Sequence, residues 1–431
     1  MKVTHVEQFV LDIPFESKRL ERLMHRAGTH EERVQAWRVE TDLGILGYGE
    51  GPGSKASIAR ITGHNPFEFL TDDSIGFGIQ MALYDIAGKA DGVPVYRLLG
   101  PKVRDECPIS WWAHDMSPED WEQEVKRASK LGYMSVKLKA RPWRDIFAQV
   151  EAISQVAPQG FSFGLDFNGY LLNAGNAVPI LRELERNEHV QIFETPIPQE
   201  DVEGYRQIRR RVAKPIAIHY GVPPIVTALR EEVCDGFCLH GDSATPGVME
   251  VTREATIMAA GNKPFWLQMV GTGITTVFMV HLGSVFSHAQ WPGITTHELW
   301  GDDLLKERLE VRNGYIQVPD RPGLGVEVDE TALERYRVDP KALTPRDQYL
   351  QARRVVKVKW PAAIGQKEGP ARCFASESDS SFFAYQRAFY SGNLPLFVRG
   401  ASLEVVEDDG SPAFNHLYER VKSGGTGGVW E

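Results

Sequence analysis

The segment Ser135-Val136-Lys137-Leu138-Lys139-Ala140 follows an amphipathic stretch, Pro118–Leu131, and a stop at Gly132. We predict a short strand here. Because side chains alternate between the two faces of a strand, Lys137 and Lys139 point the same way and the apolar residues between them point the other way. Two interpretations are open. Either the lysines lie on the solvated face of an edge strand, or they are buried together and desolvation favours a neutral amine that can act as a base.

Short apolar runs alternate with amphipathic stretches on both sides of this segment. Eight such alternations are typical of a closed parallel (β/α) barrel, in which the functional residues lie at the C-terminal ends of the strands. The predicted strands are Ile109–Trp112, Ser135–Ala140, Ser162–Phe167, Val190–Glu194, Ile216–Tyr220, Gly236–His240, Phe265–Val270 and one near Ile294–Glu298.

The residues before the barrel predict an α+β domain. Lys2–Pro14 and Gln35–Tyr48 have strand patterns, and Asp42-Leu43-Gly44 predicts a hairpin turn within the second. Gly76–Leu99 predicts a helix from its apolar spacing, interrupted near its end by Gly92 and Pro94. The polar stretch Glu16–Glu32 predicts a loop, either simply solvated or mobile over a site.

The residues after the barrel have no assigned role. Arg354–Trp360 and Ala401–Glu407 predict strands, Ser378–Tyr390 predicts a helix, and Gly424–Gly428 predicts a flexible tail. The predicted organisation is therefore a capping domain over residues 1–108, a barrel over 109–330 and an extension over 331–431.

The composition narrows the class of protein. The chain has 431 residues, of which 42% are hydrophobic and 25% charged, and this composition predicts a soluble globular protein. A formal charge of -10 argues against general nucleic-acid or membrane-surface binding. The four cysteines form no CxxC pair, and no signal peptide or membrane-spanning run is recognisable, so we expect a reduced, cytoplasmic setting.

Acidic side chains end the two strands that follow the lysine strand. Asp166 and Asn168 share one face at the end of the first, and Glu194 closes the second, just before Thr195-Pro196-Ile197-Pro198. Each carboxylate alone is an ordinary strand-end residue. Together they supply oxygen ligands for a hard cation such as Mg²⁺, which would stabilise the enolate formed when a lysine removes a proton beside a carboxylate.

This ordered set resembles the enolase superfamily, in its mandelate racemase/muconate lactonizing branch. The resemblance rests on Lys137-Leu-Lys139, Asp166-x-Asn168, Glu194-Thr-Pro-Ile-Pro and the stretch Lys214-Pro-Ile-Ala, and runs from about Lys2 to Asp329. It implies an α/β fold, a (β/α)7β TIM-like barrel with an N-terminal α+β capping domain. It also implies Mg²⁺, a small-molecule carboxylate substrate and a homo-oligomer.

The resemblance also implies roles for individual residues. Lys139 matches the base that removes the proton alpha to the substrate carboxylate, and Lys137 assists it. Asp166 and Glu194 match the first two metal ligands, and the loop around His25 matches the cap loop over the substrate. Asn168, beside the first ligand, is a substrate-binding candidate.

The third metal position departs from the family pattern. His219 stands in Ile218-His219-Tyr220, where the family has a carboxylate. Imidazole suits Mn²⁺, Fe²⁺ or Zn²⁺ better than Mg²⁺, so His219 as a ligand would change the preferred ion. A hydrogen-bonded structural histidine is the alternative.

The residues on the side of the barrel opposite the lysines also differ from the family pattern. His240-Gly241-Asp242 places an acid where one branch of the family has it, but Gln268 stands where its partner histidine would lie, and glutamine cannot shuttle protons. His240 is either a substitute catalytic group or a structural histidine. Glu298 resembles the acid that hydrogen-bonds a substrate carboxylate in racemase-like members, and Gln268 is a further substrate-binding candidate.

The catalytic residues match the family pattern only on the side of the barrel that carries the lysines. This favours a reaction in which a base acts on one face of the substrate. We therefore predict a carbon–oxygen lyase that dehydrates a sugar acid or a related hydroxy acid. The alternatives are a catalytically decayed barrel that binds a ligand or serves assembly, and a racemase or epimerase that uses His240 opposite Lys139.

Overall fold

The computed structural model describes residues 1–27, 33–240, 247–364 and 369–431. The helices in these ranges are α1 Lys18–Ala27, α2 Lys55–Ile61, α3 Phe77–Asp91, α4 Tyr96–Leu99, α5 Pro118–Lys130, α6 Ile146–Ser154, α7 Ala174–Leu184, α8 Val202–Arg209, α9 Ile225–Arg230, α10 Val248–Ala260, α11 Gly273–Val285, α12 Glu330–Arg335, α13 Pro345–Gln351, α14 Asp379–Phe382, α15 Ala384–Tyr390 and α16 Pro412–Lys422. The strands are β1 Val3–Asp12, β2 Arg33–Thr41, β3 Leu46–Glu50, β4 Glu106–Pro108, β5 Trp111–Ala113, β6 Ser135–Lys139, β7 Ser162–Asp166, β8 Val190–Glu194, β9 Ile216–His219, β10 Gly236–His240, β11 Phe265–Gln268, β12 Tyr315–Gln317, β13 Arg354–Lys359, β14 Ala371–Ser376, β15 Ser402–Glu407 and β16 Val429–Trp430.

The central sheet is parallel and follows chain order from β5 to β11. Each of these strands is followed by one helix, α5 to α11, as the sequence predicts. Residues 293–294 close the sheet, because Gly293 bridges Ile109 and Ile294 bridges Gln268, both in the parallel sense. The predicted (β/α)7β barrel is confirmed.

The lysine strand is buried on both faces. All five residues of β6 are buried, with Lys137 and Lys139 exposed by only 5% and 7%. β6 pairs with β5 on one side and β7 on the other, so it is not an edge strand. The solvated-face interpretation of the lysines is therefore wrong.

The N-terminal domain packs a three-stranded antiparallel sheet, β1-β2-β3, against α3. The predicted hairpin is confirmed, and Gly44 adopts a positive φ of 72° in its turn. The interruption predicted at Gly92 is confirmed, because Gly92 takes a left-handed conformation that ends α3, and α4 follows as a separate helix. The predicted boundaries at 108 and 330 stay predictions.

The stretch predicted as a loop, Glu16–Glu32, is largely helical. Helix α1 covers Lys18–Ala27, while residues 28–32 lie outside the described part of the chain. Leu20 and Met24 are buried one turn apart, so a narrow apolar stripe fixes an otherwise polar helix. Two apolar side chains four residues apart, among so many charged residues, are too weak a pattern to predict this helix from the sequence.

The C-terminal extension is a second packed unit. Its antiparallel sheet has the order β15-β13-β14-β16, and α16 buries Phe414, Tyr418 and Val421 against it. The glycine-rich end is not a free tail, since Gly425–Gly427 form a short 3-10 helix and β16 pairs with β14.

This extension packs onto the C-terminal rim of the barrel. Trp143, in the loop after β6, is fully buried against Tyr385 and Phe389, with ring centroids 4.8 and 5.4 Å away. Tyr390 stacks on Tyr170 at 3.9 Å, and its hydroxyl donates a 2.9 Å hydrogen bond to the carbonyl of Asn168. The extension therefore contacts the loops that carry the predicted site. None of the described helices is long and apolar enough to cross a bilayer.

We expect Trp143→Ala to destabilise the protein by about 3–5 kcal/mol, because it empties a buried aromatic site shared by barrel and extension. Urea unfolding measures the change. The matched control is Trp430→Ala, since Trp430 is half exposed and its loss should cost less than about 1 kcal/mol. Equal effects of the two substitutions would contradict the packing described here.

Candidate active site

The two lysines of β6 point into the barrel and contact different carboxylates. The Lys137 ammonium lies 2.7 Å from a carboxylate oxygen of Glu194 and donates to the Gln268 side-chain oxygen at 2.6 Å. The Lys139 ammonium lies 2.5 Å from Asp166 Oδ2. A longer contact of 3.6 Å joins Lys137 to Asp166. The two amines and the two acids therefore form one cluster.

The strand register brings these groups together. Lys139 is paired with Asp166 across β6 and β7, and Asp166 with Glu194 across β7 and β8. Because the strands are parallel and neighbouring, residues at the same level of the barrel meet at its centre. Asp166 and Glu194 are fully buried, so each depends on a cationic neighbour.

The shared cluster shifts the pKa values of the two lysines in opposite directions. Burial lowers the pKa of Lys137, but the charges of Glu194 and Asp166 outweigh burial and raise it above that of free lysine. Burial also lowers the pKa of Lys139; Asp166 opposes this, and the positive charges of Lys137 and Arg141 leave the pKa below its usual range. Of the two, Lys139 is the amine that loses its proton more readily.

The two acids remain ionised. Burial raises the pKa of Asp166, yet the ammonium groups of Lys139 and Lys137 hold it below its usual range. Burial and the charge of Asp166 both raise the pKa of Glu194, and Lys137 and His219 bring it below its usual value. Two carboxylates that keep their charge in a buried site are suited to cation binding.

His219 contacts the same carboxylate oxygen of Glu194 that accepts a hydrogen bond from Lys137. Its Nε2 lies 3.0 Å from Glu194 Oε1, and its Nδ1 lies 2.5 Å from His240 Nε2. The two imidazole rings stack at 4.7 Å. Burial lowers the pKa of His219, but Cys238 and Glu194 outweigh burial and raise it to about 10.

Cys238 lies beside both histidines. Ligand atoms of His219, Cys238 and His240 all fall within 4.8 Å of one another. Burial raises the pKa of the Cys238 thiol, but His219 and His240 lower it to about 6. The wall opposite the lysines thus carries nitrogen and sulfur donors.

The structure brings two of the predicted substrate-binding residues to the lysines. Asn168 Oδ1 accepts from Lys139 at 3.2 Å and from Arg141 at 3.0 Å, and Gln268 accepts from Lys137. Asn168 has a positive φ of 44°, a conformation that asparagine tolerates well.

Other predicted residues lie elsewhere. His25 belongs to α1 and packs between Phe15 and Tyr349, at ring distances of 6.1 and 5.4 Å. Glu298 accepts from the backbone N–H of Trp112 at 3.0 Å and lines a separate cavity near α5. Glu298 is thus bonded to β5, the strand that pairs with the lysine strand β6. Asp242 lies outside the described residues.

Sequence reasoning missed two residues of the cluster. Arg141 is buried two positions after Lys139, and Cys238 is buried two positions before His240. Both extend the period-2 pattern of a strand face, which is the signal that would have found them. The aromatic contacts from the extension, through Tyr385 and Tyr390, follow no pattern in the barrel sequence.

The chain is similar to several known proteins. Residues 120–332 match the family model described as enolase C-terminal domain-like. D-xylonate dehydratase of Haloferax volcanii is 27% identical over 361 residues, 71% of this chain and 86% of that protein. D-galactonate dehydratase of Variovorax paradoxus is 30% identical over 275 residues, 59% of this chain and 72% of that protein. N-succinyl-L-Arg/Lys racemase of Bacillus cereus is 24% identical over 379 residues, 78% of this chain and 98% of that protein.

Solved structures share the fold. A mandelate racemase/muconate lactonizing family protein from Azoarcus sp. EbN1 aligns with a TM-score of 0.64 at 23% identity, covering 79% of this chain and 99% of its own. An enolase from Thermobispora bispora, complexed with magnesium and formate, aligns with a TM-score of 0.66 at 21% identity, covering 90% of this chain and 98% of its own. The chain therefore belongs to the enolase superfamily, in its mandelate racemase/muconate lactonizing branch.

Proposed function

We propose that the protein is a metal-dependent lyase that removes the proton alpha to a carboxylate and dehydrates a sugar acid or a related hydroxy acid. The observation that carries this proposal is the buried cluster in which Lys139 has a lowered pKa beside two ionised carboxylates. The relatives named for xylonate and galactonate dehydration support the substrate class.

The cluster divides the work between the two lysines. Lys139 is the base, because burial and two cationic neighbours favour its neutral form. Lys137 remains charged, holds Glu194 and Gln268 in place, and adds positive charge where the substrate carboxylate becomes an enediolate. Loss of the α-proton and of a β-hydroxyl together amounts to loss of water.

The donor set fits a divalent cation. Asp166 and Glu194 provide buried carboxylate oxygens, and His219, in contact with Glu194, provides a ring nitrogen in the third predicted position. These residues would hold the cation at the rim beside the lysines. When bound, a divalent cation supplies positive charge that stabilises a developing enediolate.

Racemisation is a second candidate, and the Bacillus cereus racemase relative favours it. A racemase needs a proton-transfer group on each face of the substrate. His240 is the candidate on the second face, and it is already bonded to His219. Exchange from both enantiomers of one acid, with His240→Gln abolishing only one of the two, would favour racemisation over dehydration.

Lys139→Met should lower α-proton exchange by about 100- to 10,000-fold, because it removes the base while preserving apolar bulk. The measurement is solvent deuterium incorporation into xylonate, gluconate or galactonate, followed by NMR with a divalent metal supplied. Lys130→Met, at an exposed position of α5, is the matched control and should exchange like the wild type. Unchanged exchange in Lys139→Met would contradict the assigned role, and absence of exchange from every hydroxy acid with every metal would support a decayed barrel.

The pH dependence of kcat/KM should show an acid limb that rises as Lys139 loses its proton. Since the positive charge of Arg141 helps to lower the pKa of Lys139, Arg141→Gln should move this limb to higher pH. Arg141→Lys keeps the charge and should leave the limb in place. A limb that stays fixed in Arg141→Gln, or moves to lower pH, would show that another group titrates.

A further inference from the structure

The third predicted metal position does not match a magnesium site. Mg²⁺ takes oxygen ligands in near-octahedral geometry and binds thiolate and imidazole poorly. Here the carboxylate of Asp166 is already engaged by Lys139 at 2.5 Å, and the side chain that meets Glu194 from β9 is an imidazole. The carboxylate donors thus lie toward the lysines, and the wall formed by β9 and β10 presents softer atoms.

We propose that His219, Cys238 and His240, with Glu194 bonded to the His219 ring, form a centre that selects a thiophilic borderline cation such as Zn²⁺ over Mg²⁺. This inference deepens the proposed function by naming the class of metal, and it replaces the two predicted carboxylate ligands, Asp166 and Glu194, with Cys238 and His240. It rests on that function only in assigning the cation a role in the reaction, since the binding itself follows from the donor atoms.

The strand geometry supports a common centre. Cys238 and His240 occupy the same face of β10, two residues apart, and Cys238 is paired in register with His219 of β9. The three side chains thus converge on the barrel interior, with ligand atoms within 4.8 Å of one another. Ligand atoms around one tetrahedral zinc ion lie roughly 3.3–3.6 Å apart, so a modest rotation of the rings brings the set into range.

The chemistry of the donors supports the same choice of ion. A thiolate and two imidazoles are the ligands that separate Zn²⁺, Co²⁺ or Fe²⁺ from Mg²⁺ and Ca²⁺. Glu194 Oε1 lies 3.0 Å from His219 Nε2, so this carboxylate orients the imidazole, while two imidazoles and one thiolate face the cation. Cys238 is fully buried, so its sulfur is shielded from thiol-reactive reagents in solution.

The test titrates the full-length protein with Co²⁺ under anaerobic conditions in a large excess of Mg²⁺. Visible and near-ultraviolet absorption reports the coordination, because a thiolate bound to Co²⁺ adds a sulfur-to-metal charge-transfer band. Elemental analysis after dialysis against Mg²⁺ gives the zinc content. We expect one Co²⁺ or Zn²⁺ per chain, retained against Mg²⁺, with the thiolate band present.

Variants assign the ligands. Cys238→Ser should abolish the band and weaken Zn²⁺ binding by more than the roughly 10–100-fold that loss of an outer-shell partner costs. His240→Gln should also weaken binding and serves if Cys238→Ser fails to fold. Cys234→Ser is the matched control, because Cys234 is equally buried but lies outside the cluster; it should keep the band and the metal.

Three results would overturn the inference: Co²⁺ bound without a thiolate band, displacement of Zn²⁺ by equimolar Mg²⁺, or a folded Cys238→Ser variant that binds like the wild type. The proposed function fails separately. A thiolate-bound metal without α-proton exchange from any hydroxy acid would contradict the lyase and leave the centre intact. Exchange of the α-proton supported by Mg²⁺ alone, with no thiolate band, would contradict the proposed metal centre and leave the lyase intact.

Discussion

Four buried charges, two positive and two negative, depend on one another at the centre of the barrel. Each would be costly to bury alone, and removing one partner of such a pair typically costs about 3–5 kcal/mol. Lys137 contacts both Glu194 and Asp166, whereas Lys139 contacts only Asp166 of the two acids. Burial and the charge of Lys137 lower the pKa of Lys139 more than its acid partner raises it, whereas the two acids around Lys137 outweigh burial and keep that amine charged. The same arrangement that makes the charges tolerable therefore gives the two amines different chemistry.

The fold holds this cluster through strand register and through the extension. Parallel pairing aligns Lys139, Asp166 and Glu194 at one level of neighbouring strands. The extension then covers the rim, where the Tyr390 hydroxyl bonds the backbone of Asn168 and aromatic rings enclose Trp143. Its contacts therefore lie on the loops that follow β6 and β7, the strands that carry Lys139 and Asp166.

Much of this arrangement follows from sequence because it depends on local periodicity. Alternation along β6 places the two lysines on one face, and the order of strand-end residues predicts that Asp166 and Glu194 lie beside them. Features that depend on long-range packing cannot be predicted from the sequence in this way. The helical state of α1 depends on burial of Leu20 and Met24, and the surroundings of Glu298 depend on the 3-10 turn that residues 297–299 form after the barrel closes. Contacts of Tyr385 and Tyr390 join residues more than 200 positions apart, which no local pattern encodes.

The central claim, that one cluster shifts two neighbouring lysines in opposite directions, is tested most directly by NMR titration of the lysine side chains. Protein carrying ¹³C-labelled lysine, with the Lys137 and Lys139 signals assigned from single lysine-to-methionine variants, reports the protonation of each amine as pH is raised. Our account predicts that Lys139 loses its proton below the pH at which free lysine does, and that Lys137 keeps its proton to a higher pH. Titration of both amines at the pKa of free lysine, or loss of the Lys137 proton first, would contradict it.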